Sequence, residues 1–278
     1  MKSTYTLPNA KINIGLNIVG KRPDGYHNLQ TVFYPIPITD AIEIKKLENP
    51  TSLYEFESSG ISIPGDAKEN LVVQVFLSLQ KEFDLPPVRI NLSKHIPVGA
   101  GLGGGSSDCA FMMKMLNEYF SLELSDKEME DRLSSFGADC AFFVRNKPVF
   151  AEGVGNVFSP IDLSLKDYFL VLVKPDVHIS TKQAYSVVVP AEPTENLKTI
   201  LTTEPICQWK NNVKNAFEES VFPLYPNLEI IKETLYDMGA VYAAMSGSGS
   251  AIYGIFDRPI TNAATIFPEY FTYSHQLS

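Results

Sequence analysis

From residue 10 the chain alternates, with Ala10, Ile12, Ile14, Leu16 and Ile18 apolar and Lys11, Asn13, Gly15 and Asn17 between them. A period of two puts the apolar side chains on one face of a strand and Lys11 and Asn13 together on the other, which predicts a half-buried strand. It leads into KRPDGYHN, where Pro23 and the Asp24-Gly25 pair mark a turn, and then into a second apolar run from Thr31 to Ile38. Residues 40–46 and 53–63 read as further short strands. The period then changes: Leu71, Val72, Val75, Phe76, Leu79 and Phe83 fall at helical spacing behind Asn70, a natural N-cap. A strand through Val88, Ile90 and Leu92 closes at Ser93-Lys94. Past a glycine-rich segment, SSDCAFMMKMLNEYF predicts a helix apolar nearly all round and hence buried. Ser125 and Glu128 have capping-box spacing for the next helix, expected to end at Gly137.

Periodicity fades over GVGNVFSPIDLSLKD, residues 153–167, so the domain boundary is placed there, giving 1–157 and 158–278. Beyond it DYFLVLVKP reads as a buried strand and STKQAYSVV as a short helix. PNLEIIKETLYDMG reads as a helix with Pro226 in its first turn and Gly239 after its last. AVYAAM and AIYGIF are two strands around a small-residue turn, SGSGS. Helices and strands mix without regular βαβ alternation, which argues for an α+β fold.

The chain's 278 residues, 45% of them apolar, leave room for two domains with their own cores. With 23 basic against 32 acidic residues and no basic run, a nucleic-acid partner is not expected. No segment reaches about 18 apolar residues and the N-terminus lacks an apolar leader, so no membrane partner and a cytoplasmic location are expected. Cys109, Cys140 and Cys207, odd in number and widely spaced, read as small buried hydrophobes rather than disulfides or zinc ligands.

The chemistry centres on PVGAGLGGGSSDCA, residues 97–110, where five of the seven residues from Gly99 to Gly105 are glycine. Each costs about 0.5–1 kcal/mol relative to alanine in an ordered element, so something must offset them. A P-loop would need a lysine after its last glycine, and Ser106-Ser107 stand there instead. Gly99, Gly101 and Gly104 match G-x-G-x-x-G, but the element after the following helix is another helix rather than an acidic-ended strand. A glycine turn feeding a helix at Ser106 is left, its N–H groups and dipole converging on an anion such as a polyphosphate; a turn shaped only for tight packing is the alternative. Asp139, in FGADCAFFV, follows a helix-ending glycine and precedes an apolar run. It reads as an N-cap for residues 140–145, as a catalytic proton acceptor, or as both.

These segments carry a resemblance. PVGAGLGGGSSDCA resembles the central motif of the GHMP kinases, MSGSGSAIYGIF resembles their C-terminal glycine motif, and AKINIGLNIVGKRPDGYHNLQTVF resembles the N-terminal motif of one branch, to which DGYH and FGADCAFFV are specific. The resemblance spans nearly the whole chain. It implies a two-domain α+β fold, with an N-terminal ribosomal-protein-like α/β nucleotide domain and a C-terminal ferredoxin-like domain, and transfer of phosphate from ATP, with Mg²⁺, to a small-molecule alcohol. It implies nucleotide contacts from Pro97, Gly99, Ala100, Gly101, Leu102, Gly103, Gly104, Gly105, Ser106 and Ser107, with Asn70 and Lys94 near adenine and phosphates, although a helix cap and an exposed lysine are their ordinary readings. Asp139 matches the catalytic aspartate, the base, and Lys11 its partner. Asn13, Tyr26, His27, Thr181, Tyr185 and Asp139 match contacts to a cytidine diphosphate-linked polyol, although either tyrosine taken singly reads first as a core residue. No metal-ligand spacing is visible. Asp108 could act through water or simply sit in the first turn of its helix, and His95 and His178 are taken as structural. A monomer or weak homodimer is expected.

Overall fold

A computed structural model describes residues 3–193 and 195–278. The chain forms two compact units, each assembled from separate stretches: residues 1–10, 38–98 and 103–146 in the first, and 11–37, 99–102 and 147–278 in the second. The expected single cut at 157/158 follows a lapse in periodicity, whereas compactness divides the chain at five junctions.

The first unit holds a four-stranded sheet in the order β1 (Thr4–Thr6), β4 (Ala41–Lys46), β6 (Val88–Lys94), β5 (Tyr54–Gly60). Its pairs are antiparallel except β5 with β6, which are parallel and joined through α1 (Leu71–Phe83), a single βαβ crossover. Asn70 caps α1 as expected, its side chain accepting from Val72 N. The buried helix follows as α2 (Gly104–Phe120), starting two residues earlier than its polar signal at Ser106 because Gly104 and Gly105 join it. Ser125 and Glu128 form the capping box of α3 (Asp126–Leu133), which stops short of Gly137. A turn then leads to α4 (Phe142–Arg145). Its N-cap is Ala141, so the expectation that Asp139 caps this helix is not met.

In the second unit one sheet runs β2 (Asn9–Lys21), β3 (His27–Thr39), β7 (Val149–Glu152), β8 (Val157–Pro160), the ends of β2 and β3 reaching into the first unit's stretches. The other runs β10 (Tyr242–Met245), β11 (Ile252–Phe256), β9 (Phe169–Lys174), β12 (Phe271–Gln276), antiparallel throughout. Helices α5 (Thr181–Val187), α6 (Leu197–Thr203), α7 (Trp209–Asn212), α8 (Glu218–Val221), α9 (Pro226–Asp237) and α10 (Ala263–Ile266) complete it. Leu228, Ile231 and Leu235 of α9 bury one helix face in a core with Val171, Val173, Ile252 and Phe256 of the sheet. Deep burial of a side chain this size contributes about 1.5–3 kcal/mol.

Two expectations are corrected here. Strand β2 is buried on both faces, Lys11 and Asn13 each being 3% exposed, so the polar face is not a wet one. Cys207 is exposed, while Cys109 and Cys140 are buried. No helix among the described residues is long and apolar enough to cross a membrane.

Candidate functional site

In the first unit the start of α2 is bare. Gly103, at φ +69°, is its N-cap and offers no side chain, so the first N–H groups of the helix have no side-chain partner. A Cβ built on Gly105 would meet nothing within 4 Å. Ser107 Oγ and Asp108 Oδ1, in the next part of the same helix, are buried without a hydrogen-bond partner among the described residues. Open backbone, a positive helix end and orphaned oxygens are what a phosphate group and its cation require.

Beneath this helix end lies a buried ionic cluster. Lys94, at the end of β6, is 3% exposed, its ammonium held by Asp40 and, at 2.7 Å, by Asp108 Oδ2. Asp40 is fully buried, and its Oδ1 also accepts from the N–H groups of His95 at 2.6 Å and Ile96 at 2.9 Å. One carboxylate thus anchors the backbone where the glycine segment begins. Gly104 rests against the same cluster, a Cβ there falling 2.9 Å from Ile96 Cγ2 and 3.4 Å from Lys94 Nζ. Burial pushes the Asp108 carboxyl up to about 7; Lys94 opposes the rise and the nearby Asp40 adds to it. Lys94 is therefore not the exposed lysine of its ordinary reading.

Asp139 is half-buried in the turn before α4. The next residue, Cys140, is fully buried, as is Cys109 of α2. The close fit continues at Gly137, where a Cβ would stand 3.2 Å from Cys140 Sγ and 3.8 Å from Ser106 Oγ. Within this unit the acid's own segment is packed on the first turns of the bare helix.

The second unit gathers the remaining candidates into two groups. Lys11 Nζ donates to Asn13 Oδ1 at 2.7 Å and to the Gly101 carbonyl at 3.1 Å, and lies 5.0 Å over the Phe33 ring. The Gly101 carbonyl also accepts from Ser246 Oγ at 2.8 Å, joining the first glycine segment to the SGSGS turn. Only glycine fits at 101, since φ is +78° and a Cβ would be 2.0 Å from the Ser246 carbonyl.

In the other group His27 is buried and stacks on Tyr185 with ring centroids 5.1 Å apart at 29°, and Tyr185 meets Phe217 edge-on at 4.9 Å. Tyr26 is 65% exposed, so a core role is excluded for it. Its backbone N–H is held by Asp24, which Arg22 grips in turn. Burial, with a smaller push from Lys21, lowers the His27 pKa and keeps the ring neutral at pH 7. Thr181 Oγ1 lies 3.4 Å from Ser248 Oγ. Sequence patterns did not single out Asp40 or Phe217, and marked Ser246 only as part of the small-residue turn; none lies at a periodic position that would give it a role. Among the described residues no three His, Cys, Asp or Glu are placed to hold a metal ion.

The chain is similar to known proteins along most of its length. Residues 70–147 match the model of the GHMP kinases N terminal domain and residues 205–271 that of the GHMP kinases C terminal. The chain belongs to the GHMP kinase family, and so is a small-molecule kinase of α+β fold. A relative from Bacteroides fragilis, 59% identical over 90% of this chain and 91% of its own length, is named 4-diphosphocytidyl-2-C-methyl-D-erythritol kinase. So is one from Parabacteroides distasonis, 51% identical over 98% of both chains. A crystal structure of 4-(cytidine 5'-diphospho)-2C-methyl-D-erythritol kinase matches with a TM-score of 0.81 at 28% identity, covering 99% of this chain and 100% of that one. Homoserine kinase from Cytophaga hutchinsonii, with a TM-score of 0.69 at 15% identity over 100% of this chain and 95% of its own, shares the fold.

Proposed function

We propose that this kinase phosphorylates the 2-hydroxyl of 4-diphosphocytidyl-2-C-methyl-D-erythritol, in the cytoplasm, on the non-mevalonate route to isoprenoid precursors. One observation carries the reading: relatives of that name match at 59% identity over nine tenths of the chain. The neutral His27 stacked on Tyr185, with Tyr26 held outward, supports it. Flat rings and a hydrogen-bonding edge suit a cytosine, and stacking on a base is worth about 1–3 kcal/mol.

ATP, when bound, supplies the phosphoryl group, and Mg²⁺ with it neutralises phosphate charge. The N–H groups of Gly104, Gly105 and Ser106 would take the phosphates, with Ser107 Oγ and Asp108 Oδ1 as hard oxygen donors toward the cation. Pro97, Gly99, Ala100, Leu102 and Gly103 shape that segment. Asn70 stands with the adenine contacts. Asp139 accepts the proton of the 2-hydroxyl as its oxygen turns on phosphorus. Lys11 steadies negative charge on the substrate. Asn13 and Thr181 orient the polyol.

The test is ADP formation with this substrate. Asp139→Asn keeps size and loses the base, so kcat is expected to fall by about 10²–10⁴. A variant as fast as wild type overturns the reading.

A further inference from the structure

Thr31, on β3, is fully buried, and its hydroxyl stands between two groups of β2. It donates to the carbonyl of Gly15 at 2.5 Å and accepts from Asn13 Nδ2 at 3.0 Å. A main-chain carbonyl only accepts, so the one hydrogen of the hydroxyl is committed there and its lone pairs are left for the amide. The Asn13 amide must then turn its NH₂ toward Thr31 and its oxygen the other way, where Lys11 Nζ donates to it at 2.7 Å. Reversed, the amide oxygen would face a hydroxyl with no hydrogen to give, and the NH₂ would face an ammonium that is itself only a donor.

The Lys11 ammonium favours the same direction from the other end, and the main chain does not set it. The Asn13 main chain is pinned separately, its N–H by Ser246 Oγ at 3.3 Å and its carbonyl by the Tyr253 hydroxyl at 2.8 Å. That fixes where the side chain starts and says nothing of which way the amide is turned. The polarity of the relay begins at the Gly15 carbonyl and passes through Thr31 to the amide, whose oxygen then meets the Lys11 ammonium.

We propose that Thr31 is a positioning residue for phosphoryl transfer: its hydroxyl orients the Asn13 amide so that Oδ1 holds the Lys11 ammonium in place. This rests on the reading above, in which Lys11 steadies negative charge on the substrate. A displaced ammonium is felt when that charge develops, so the loss falls on kcat more than on KM.

Thr31→Val keeps the shape and removes the relay. Its kcat is expected to drop about tenfold with KM within about threefold, Thr31→Ser to stay within about twofold of wild type, and Thr31→Val added to Asn13→Ala to cost less than about twofold more, because the relay is already broken. If Thr31→Val does not fold, as judged by circular dichroism and urea unfolding, Thr31→Ala takes its place. A kcat within about twofold of wild type overturns the proposal, as do a serine variant as slow as valine and losses that multiply in the Asn13→Ala background. The wild-type rate is read first: its absence overturns the kinase reading and the positioning role together, whereas a normal wild-type rate that Thr31→Val leaves intact overturns the positioning role alone.

Discussion

Helices α2 and α3 follow one another in the same unit and begin in opposite ways. At α3 the Ser125 hydroxyl accepts from Glu128 N and the Glu128 carboxylate accepts from Ser125 N, and two acidic residues sit in the first turn. That end is satisfied by its own side chains and has nothing to offer a ligand. At α2 the cap is a glycine and the first turn contains no acid. Asp108, further along the helix, gives one oxygen to Lys94 below. The longer helix thus forgoes local capping and draws its support from underneath, through Asp40, Lys94 and Asp108. A helix end kept open for an anion must be stabilised by contacts that the anion does not use.

The largest expected effect comes from removing that support. Lys94→Met leaves two carboxylates buried without their cation, and urea unfolding should show a loss of about 3–5 kcal/mol. If stability holds and only nucleotide affinity falls, Lys94 belongs among the ligand contacts instead. A middling effect is expected at the open end itself. Gly105→Ala puts a methyl group into free space on a helix, so stability should rise by about 0.5–1 kcal/mol while nucleotide affinity, read by calorimetry, falls about tenfold. Unchanged affinity would mean that the bare end is not a binding surface. The smallest effect belongs to the boxed end, where Ser125→Ala should cost about 1 kcal/mol in urea and leave kcat and KM alone.

The same contrast explains what could be read from the chain. Asn70 and the Ser125–Glu128 box declare their helices because a cap and its partner lie within three residues. The start of α2 at Gly104 runs against glycine's low helix propensity and is legible only once the cradle is considered. The phase of Lys11 and Asn13 was visible in the alternation of β2. Their burial was not, because the groups that meet them lie on residues 101, 246 and 253. Asp40 finds its lysine 54 residues further on and belongs to no local pattern. The strand FTYSHQ of β12 carries no clear alternation and is defined by its pairing with β9. Cys207 broke the expectation of burial because a short, irregular stretch around Pro205 has no period from which a face can be assigned. Family motifs supplied the rest, most directly for Tyr26, His27 and Tyr185, whose separate positions give no hint that two of the rings stack.

The interleaving of the two units governs the order in which the molecule can mature on the ribosome. The first unit has all its residues once position 146 is synthesised, and it can consolidate then. The second cannot. Its β3 finds β7 only through residues 149–151, more than a hundred positions after it is made, and the sheet carrying β9 waits for β12 at the very end of the chain. During that interval Val32 and Phe33, both destined for burial, lack the strand that will pair with them. The early hairpin segment therefore stays exposed to misassembly longer than the first unit during synthesis.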